Sequence, residues 1–509
     1  MITRPLRLAT AALAGLALLA GSTSARQAAE PVDADAIARI RDEGLNRSQA
    51  GELFTHLVDR IGPRLAGSPE YDEAAAWARD RLAAWGLENA RLEPFEFGRG
   101  WQLEKFTLEM IAPRYMPLVG YPEAWSPSTA GEIEADVVFL GERSADEVEA
   151  VRGDLRGDAV MTAGQVTNFI RTDRVQPTEQ PEVEPEPAAR GRGGRGGRGG
   201  RGGRGGEAGP SPAQRINAAI REGGAAVQLK PSRGEHGTLF VQAGRDNADD
   251  LLPKVVLIGE HYNLLARLSA QGLPVRVRVN VQARFLDDDL TNDNVLAELP
   301  GTDPALADEV VMLGAHLDSW HTATGATDNA DGSAAVLEAM RILTAIDAKP
   351  RRTIRVALWG AEEEGLIGSR AWVEANLEGD ERVEARRRLM VYFNVDPGKG
   401  PIYGWFLENN AAARPIFDAW LAPFLDLGAR RNVPRGIGST DHVSFNRAGV
   451  PGFNPVQDYV GYDVREHHTN VDTAERIDRA DIRQNAVILA SFVLHAANRP
   501  EPIPSEVRR

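Results

Sequence analysis

Three apolar runs of strand length, Val310–Ala315, Thr353–Trp359 and Leu389–Val395, each lead into residues able to bind a metal ion. The first runs into His316, with Asp318 two residues on; the second into Glu362-Glu363-Glu364; the third into Asp396. Runs this short and this continuously apolar suit strands covered on both faces. Helical periodicity lies between and after them. Ser333–Ala348 places Val336, Met340 and Leu343 on one face, and Ala480–Ala496 reads as another helix. Alternating strands and helices predict an α/β fold, a mostly parallel mixed sheet with helices on both faces. In open sheets of this kind ligands bind off the carboxyl ends of the strands. His316, the Glu362-Glu363 pair and Asp396 are therefore expected to meet, far apart though they are in the chain.

Other ligand-type residues stand at turns. Asp328 lies in Gly325-Ala326-Thr327-Asp328-Asn329-Ala330-Asp331-Gly332, just before a helix, and His467-His468-Thr469 comes near the end of the domain. An Asp in this place is also an ordinary helix N-cap, and that alternative stays open for Asp331. A Glu triplet alone is usually a solvated helix start; the ordered conjunction gives it meaning. The chain has no Cys, which excludes disulfides, thiolate metal sites, iron–sulfur clusters and Cys nucleophiles. Imidazole plus carboxylate suits zinc, with cobalt or manganese as substitutes. One bridging carboxylate, with one His and one further carboxylate per ion, would build a paired site. Two such ions share one hydroxide and clamp a tetrahedral oxyanion. A carboxylate left off the metal then moves the water's proton to the leaving amine. Adjacent glutamates allow that division of labour. Asp318 can accept a hydrogen bond from the second ring nitrogen of His316.

The rest of the chain frames this core. Residues Ala34–Trp85 read mainly as helices, broken at Gly62–Pro69, with Ala75–Trp85 a helix and Gly86 its cap. From about Tyr115 to Asp289 short β-rich runs take over: Ala135–Leu140, Asp158–Met161, Ala225–Leu229, Lys254–Ile258 and Val275–Val281, with a helix at Ala213–Arg221. The domains expected are a catalytic domain split into 34–114 and 290–500, with a β-rich insertion at 115–289. Within the insertion, 177–212 is Pro/Glu-rich and then carries Arg-Gly-Gly repeats, a composition that cannot bury a core and predicts a disordered loop. Residues 1–25 have the form of a signal peptide: Arg4 and Arg7, an uncharged run Leu8–Ala20, and small residues at Thr23-Ser24-Ala25. This predicts a secreted or periplasmic protein without a transmembrane segment once the leader is cut. The net charge of -15 argues against a chain-wide nucleic-acid footprint.

Gly314-Ala315-His316-Leu317-Asp318-Ser319-Trp320, Gly325–Asn329, Trp359–Ser369 with its Glu362-Glu363, Asn394-Val395-Asp396 and His468-Thr469 together resemble the ordered zinc motifs of the M28 family of metallopeptidases. Gly438-Ser439-Thr440-Asp441-His442, Ala448–Gly452 and the paired His467-His468 resemble its carboxypeptidase Q branch. The likeness runs over roughly 35–500, apart from the Arg-Gly tract. It implies a zinc exopeptidase fold and identifies the insertion as similar to a protease-associated domain. It implies two Zn2+ per chain: His316 and Asp396 on one, Glu363 and His468 on the other, Asp328 bridging. It implies Glu362 as general base and Asp318 as the group orienting His316. Many relatives have Tyr where this chain has His467, which either donates to the oxyanion in the same way or only packs. Asp441 and His442 are expected near the substrate.

The expected function is an exported dizinc exopeptidase acting on terminal peptide bonds or dipeptides. An aminopeptidase is the alternative, because an acidic cleft could hold a terminal amine. A carboxypeptidase would need a cation for the terminal carboxylate, and Arg435 and Arg465 are candidates. A catalytically silent peptide-binding ectodomain on the same fold is the rival of another class. No nucleic-acid partner is expected, and oligomerisation is left open.

Overall fold

The computed structural model describes residues 30–177, 210–242 and 251–505. The three ligand-bearing runs form neighbouring parallel strands in a seven-stranded sheet. Its order is Glu88–Glu96, Thr291–Leu299, Thr353–Trp359, Val310–His316, Leu389–Asn394, Gly452–Asp458, Lys399–Phe406. The four strands from Thr353–Trp359 to Gly452–Asp458 run parallel; the remaining pairings are antiparallel. Register sets the site: His316 pairs with Trp359, and Gly314 with Asn394.

Side-chain alternation explains the continuous apolar runs. Val311, Leu313, Ala315, Ile354, Val356 and Leu358 point into one core, which helices Asp331–Ala345, Arg479–Asn498 and Ala34–Asn46 cover. Met312, Ala357 and Trp359 point into the other, closed by helices Ile367–Asn376 and His442–Arg447 through Trp372, Val373 and Phe445. The α/β sheet with helices on both faces is thus observed.

A second, eight-stranded sheet contains Ile133–Phe139, Ala159–Met161, Val227–Pro231, Lys254–Leu257 and Arg276–Leu286, with Met116–Pro117 and Gly120–Pro122 at its two edges. It also contains Gly100–Ala112, which pairs antiparallel with Arg276–Leu286 along its whole length. The chain therefore enters this sheet near residue 100, not at 115. That strand is covered on one face only, so its polar residues hide the run. Helix Gly259–Ala270, not expected from the sequence, packs Tyr262, Leu265 and Ala266 into this unit's core.

Helix ends follow local chemistry. Ser68 accepts from Tyr71 N and Pro69 occupies the first turn, so the helix is Pro69–Ala84 and starts well before Ala75. Trp85 caps it, and Gly86 just beyond takes φ 88°. Ser211 and Gln214 form a capping box on Pro212–Glu222, so the expected disordered loop ends before 211. The rest of that loop (178–209) and the leader 1–25 lie outside the described residues. Among the described residues, no helix is long and apolar enough to cross a membrane.

Candidate active site

His316 closes its strand fully buried, with its carbonyl oxygen accepting from Ser333 Oγ at 2.7 Å. Its Nε2 lies 3.2 Å from Asp328 Oδ1 and 3.8 Å from Asp396 Oδ1. The other oxygen of Asp328, Oδ2, lies 3.2 Å from His468 Nε2, and that nitrogen is 2.8 Å from Glu363 Oε2. One carboxylate thus faces two imidazoles, each with a second carboxylate beside it. The five expected ligands come together from four loops.

Each loop is tied down. Asn329 donates to Val395 O at 2.8 Å, linking the Asp328 turn to the Asp396 loop. Below Asp396, Trp359 Nε1 donates to Tyr392 Oη at 2.7 Å. Tyr392 donates to Asn394 Oδ1 at 2.6 Å, and Asn394 donates to Thr440 and Asn454. Gly325 takes φ 57°, and a Cβ there would lie 2.3 Å from that of Ser319, so the turn needs glycine twice over. Two site residues adopt left-handed backbone without being glycine: Ala361 at φ 56° and His468 at φ 61°. Each costs about 1–2 kcal/mol and is held by its surroundings.

Asp318 is fully buried, and its carboxylate accepts from Glu362 N at 3.2 Å and Glu363 N at 3.1 Å. The group closest to His316 Nδ1 is the carbonyl oxygen of Asp318, at 3.1 Å, with the carboxylate at 3.5 Å. Asp318 therefore orients His316 mainly through its backbone, and its side chain fixes the glutamate pair. Asp331 begins its helix rather than capping it, and accepts from Gly332 N.

Two residues at the site were given no role by the sequence reading. Asp472 accepts from Thr327 N at 2.7 Å and Asp328 N at 3.1 Å and so aims the Asp328 carboxylate. Arg64, in the Gly62–Pro69 break, is fully buried. Its guanidinium donates to Leu317 O, Gly62 O, Thr324 O and Gly325 O at 2.7–2.9 Å. Burial lowers its pKa to about 10, against the pull of Asp472, Asp318, Asp328 and Glu363.

The remaining candidates differ. His467 stacks between Tyr462 and His468 at 5.0 and 3.6 Å, its Nε2 4.0 Å from Asp328 Oδ2. Burial and the neighbouring His468 push its pKa down to about 3, so the ring is neutral. Asp441 is fully buried near His316, and burial raises its pKa to about 7. His442 turns elsewhere, its Nε2 3.1 Å from Ile437 O and 3.4 Å from Glu408. Arg465 donates to Glu235 O and Thr238 Oγ1, which removes it as a free cation, while exposed Arg435 stacks over Phe406.

The electrostatics call for cations. Burial raises Glu362 well above the usual carboxylate range and Glu363 to about 7. Burial opposes charge on His468, yet Glu363 and Asp328 raise it to about 10; against the same burial, Asp318, Asp328 and Asp396 hold His316 well above the usual imidazole range. His316 Nε2, Asp328 Oδ2 and Glu363 Oε1 are buried without hydrogen-bond partners, which is unusual unless an ion supplies the missing contact. Donor atoms of His316, Glu362 and Asp396 lie within 4.8 Å of one another, as do those of Asp328, His467 and His468. Such a donor set fits two divalent ions. The recess above it is lined by Trp320, Gly325, Asp328, Glu363, His468 and Asp472.

Residues 294–493, which hold all these ligands, match the sequence profile of peptidase family M28. Over these residues the chain resembles the M28 family of metallopeptidases. The chain is 25% identical to human carboxypeptidase Q over 475 residues, 92% of the chain and 90% of the relative. An M28 peptidase precursor from Shewanella amazonensis SB2B superimposes with a TM-score of 0.66 at 24% identity, covering 93% of this chain and 99% of that one. BSAP, a zinc aminopeptidase from Bacillus subtilis, gives 0.58 at 18% identity, covering 88% and 94%. These two structures share the fold.

Proposed function

We propose that this chain is an exported dizinc exopeptidase that hydrolyses terminal peptide bonds or dipeptides. The observation that carries the proposal is the Asp328 carboxylate, which presents Oδ1 to His316 and Oδ2 to His468, each at 3.2 Å. His316 and Asp396 would hold one zinc ion, Glu363 and His468 the other, with Asp328 shared. When bound, the ions supply an acidified water and a positive field for the carbonyl oxygen of the scissile bond. Glu362 is the base. Anchored at its backbone by Asp318, it can take a proton from the attacking water on a carboxylate oxygen and deliver it to the departing amine nitrogen. Asp318 keeps the base and its ligand neighbour in register through the two backbone N–H groups. The neutral His467 ring offers one N–H to the developing oxyanion.

The second sheet is read as a protease-associated-like insertion that borders the recess, and the leader as the signal for export. Likeness to carboxypeptidase Q over nearly the whole chain favours a carboxypeptidase or dipeptidase, with Arg435 the cation available for a terminal carboxylate. The density of carboxylates at the recess favours an aminopeptidase as second reading, since they can hold a terminal ammonium. The test is an unlabelled hexapeptide digested by the zinc-loaded protein and followed by mass spectrometry. Stepwise loss from one end, abolished by chelation and restored by zinc, is expected, and the end that shortens names the type. Internal cleavage, or no cleavage by a fully loaded chain, would contradict the proposal.

A further inference from the structure

Among the described residues, the second-sheet unit reaches the metal-type ligands through one segment. Segment Thr238–Gln242 lies antiparallel to the loop after His468: Phe240 bridges Thr469, Val241 N donates to His468 O at 3.3 Å, and Asn470 N donates to Leu239 O at 3.1 Å. Leu239 N donates to Asn470 Oδ1 at 2.7 Å. The segment then puts the side-chain amide of Gln242 2.6 Å from His468 Nδ1. A second prong holds the same loop further back. Asp173 accepts from Gly461 N and Val464 N, and Arg174 pairs with Asp463.

We propose that Gln242 is a positioning residue for His468, so that the inserted unit completes the metal centre of the catalytic one. The role rests on His468 being a zinc ligand. A ring that gives its Nε2 lone pair to a cation carries its proton on Nδ1 and needs an acceptor there. The Gln amide has one, Oε1, and a half-turn about its last bond exchanges Oε1 for Nε2 at the same place. The other faces of the ring are taken by groups that cannot accept that proton: His467 stacks on it, and Trp320 meets it edge-on at 6.1 Å. His316 is held differently, since its Nδ1 partner is the carbonyl of Asp318 inside the catalytic sheet. The two ions should therefore depend unequally on the insertion: the Glu363–His468 position leans on Gln242, and the His316–Asp396 position does not.

The test titrates zinc into the metal-free full-length chain against a chromogenic chelator. Gln242→Ala is expected to weaken one of two zinc sites by about 10- to 100-fold and leave the other at parent affinity. Gln242→Glu, whose carboxylate accepts the same proton, should restore the lost affinity. Gln242 is exposed, so the unfolding temperature of the metal-free chain should not move. Parent affinity at both sites in Gln242→Ala, with one site lost in His468→Ala, would overturn the role of Gln242 alone. Two sites at parent affinity in His468→Ala would overturn the ligand assignment, and the Gln242 role with it.

Discussion

Glu362→Gln should lower kcat by about 10²- to 10⁴-fold, the usual worth of a positioned proton carrier, while the zinc content stays that of the parent. The amide keeps the shape and the backbone bond to Asp318 but cannot take a proton. KM should change little, because the side chain acts on the reacting atoms rather than on binding. Glu363→Gln is the contrasting variant. Its carboxylate lies 2.8 Å from His468 Nε2, and losing it should cost metal as well as rate. Steady-state kinetics with zinc analysis on both variants separates the roles. Near-parent turnover in Glu362→Gln would remove the base; loss of zinc there would make it a ligand.

Arg64→Met should have the largest effect on the fold of the site. The guanidinium is fully buried and serves four carbonyl oxygens, three of them on the 317–325 loop that leads to Asp328. Methionine fills similar space and donates nothing. Each carbonyl left unpaired costs about 1–3 kcal/mol, a large share of the roughly 5–15 kcal/mol that holds a domain folded. The positive charge that offsets Asp472, Asp318 and Asp328 is lost too. An unfolding temperature lower by about 10 °C is expected, at about 2–4 °C per kcal/mol for a domain of this size. Arg64→Lys should fall between, having charge but not the planar fork. Calorimetry checks this, and a parent-like transition in Arg64→Met would mean that the loops hold without it.

The parts of the site visible in the sequence are those at ends of apolar runs. Doubly covered strands leave uninterrupted hydrophobic stretches, so the change to His316, Glu362 or Asp396 marks the sheet's carboxyl edge directly. Asp328 and His468 stood out as ligand-type residues at turns, but their roles came only with the family motifs, because each sits in a turn whose composition allows many uses. Arg64 was legible only as part of the Gly62–Pro69 break, and Asp472 and Gln242 were not legible at all. Each acts through hydrogen bonds to backbone or ring atoms far away in the chain, and such contacts leave no periodicity. Asp318 was half-read. Its spacing from His316 suggested a carboxylate–imidazole pair, yet the side chain crosses to the next strand's loop and leaves its carbonyl to the ring. Gly100–Ala112 escaped for a related reason, since a strand wet on one face alternates polar and apolar residues and gives no run.

Under the proposed function, Asp328 would serve both zinc positions. Zinc counted per chain by atomic emission, on purified parent protein and on Asp328→Ala reconstituted alike, tests it directly. Two ions are expected in the parent and neither held tightly in Asp328→Ala, because both positions lose a ligand at once. One ion per parent chain, or an Asp328→Ala protein that keeps both, would contradict it.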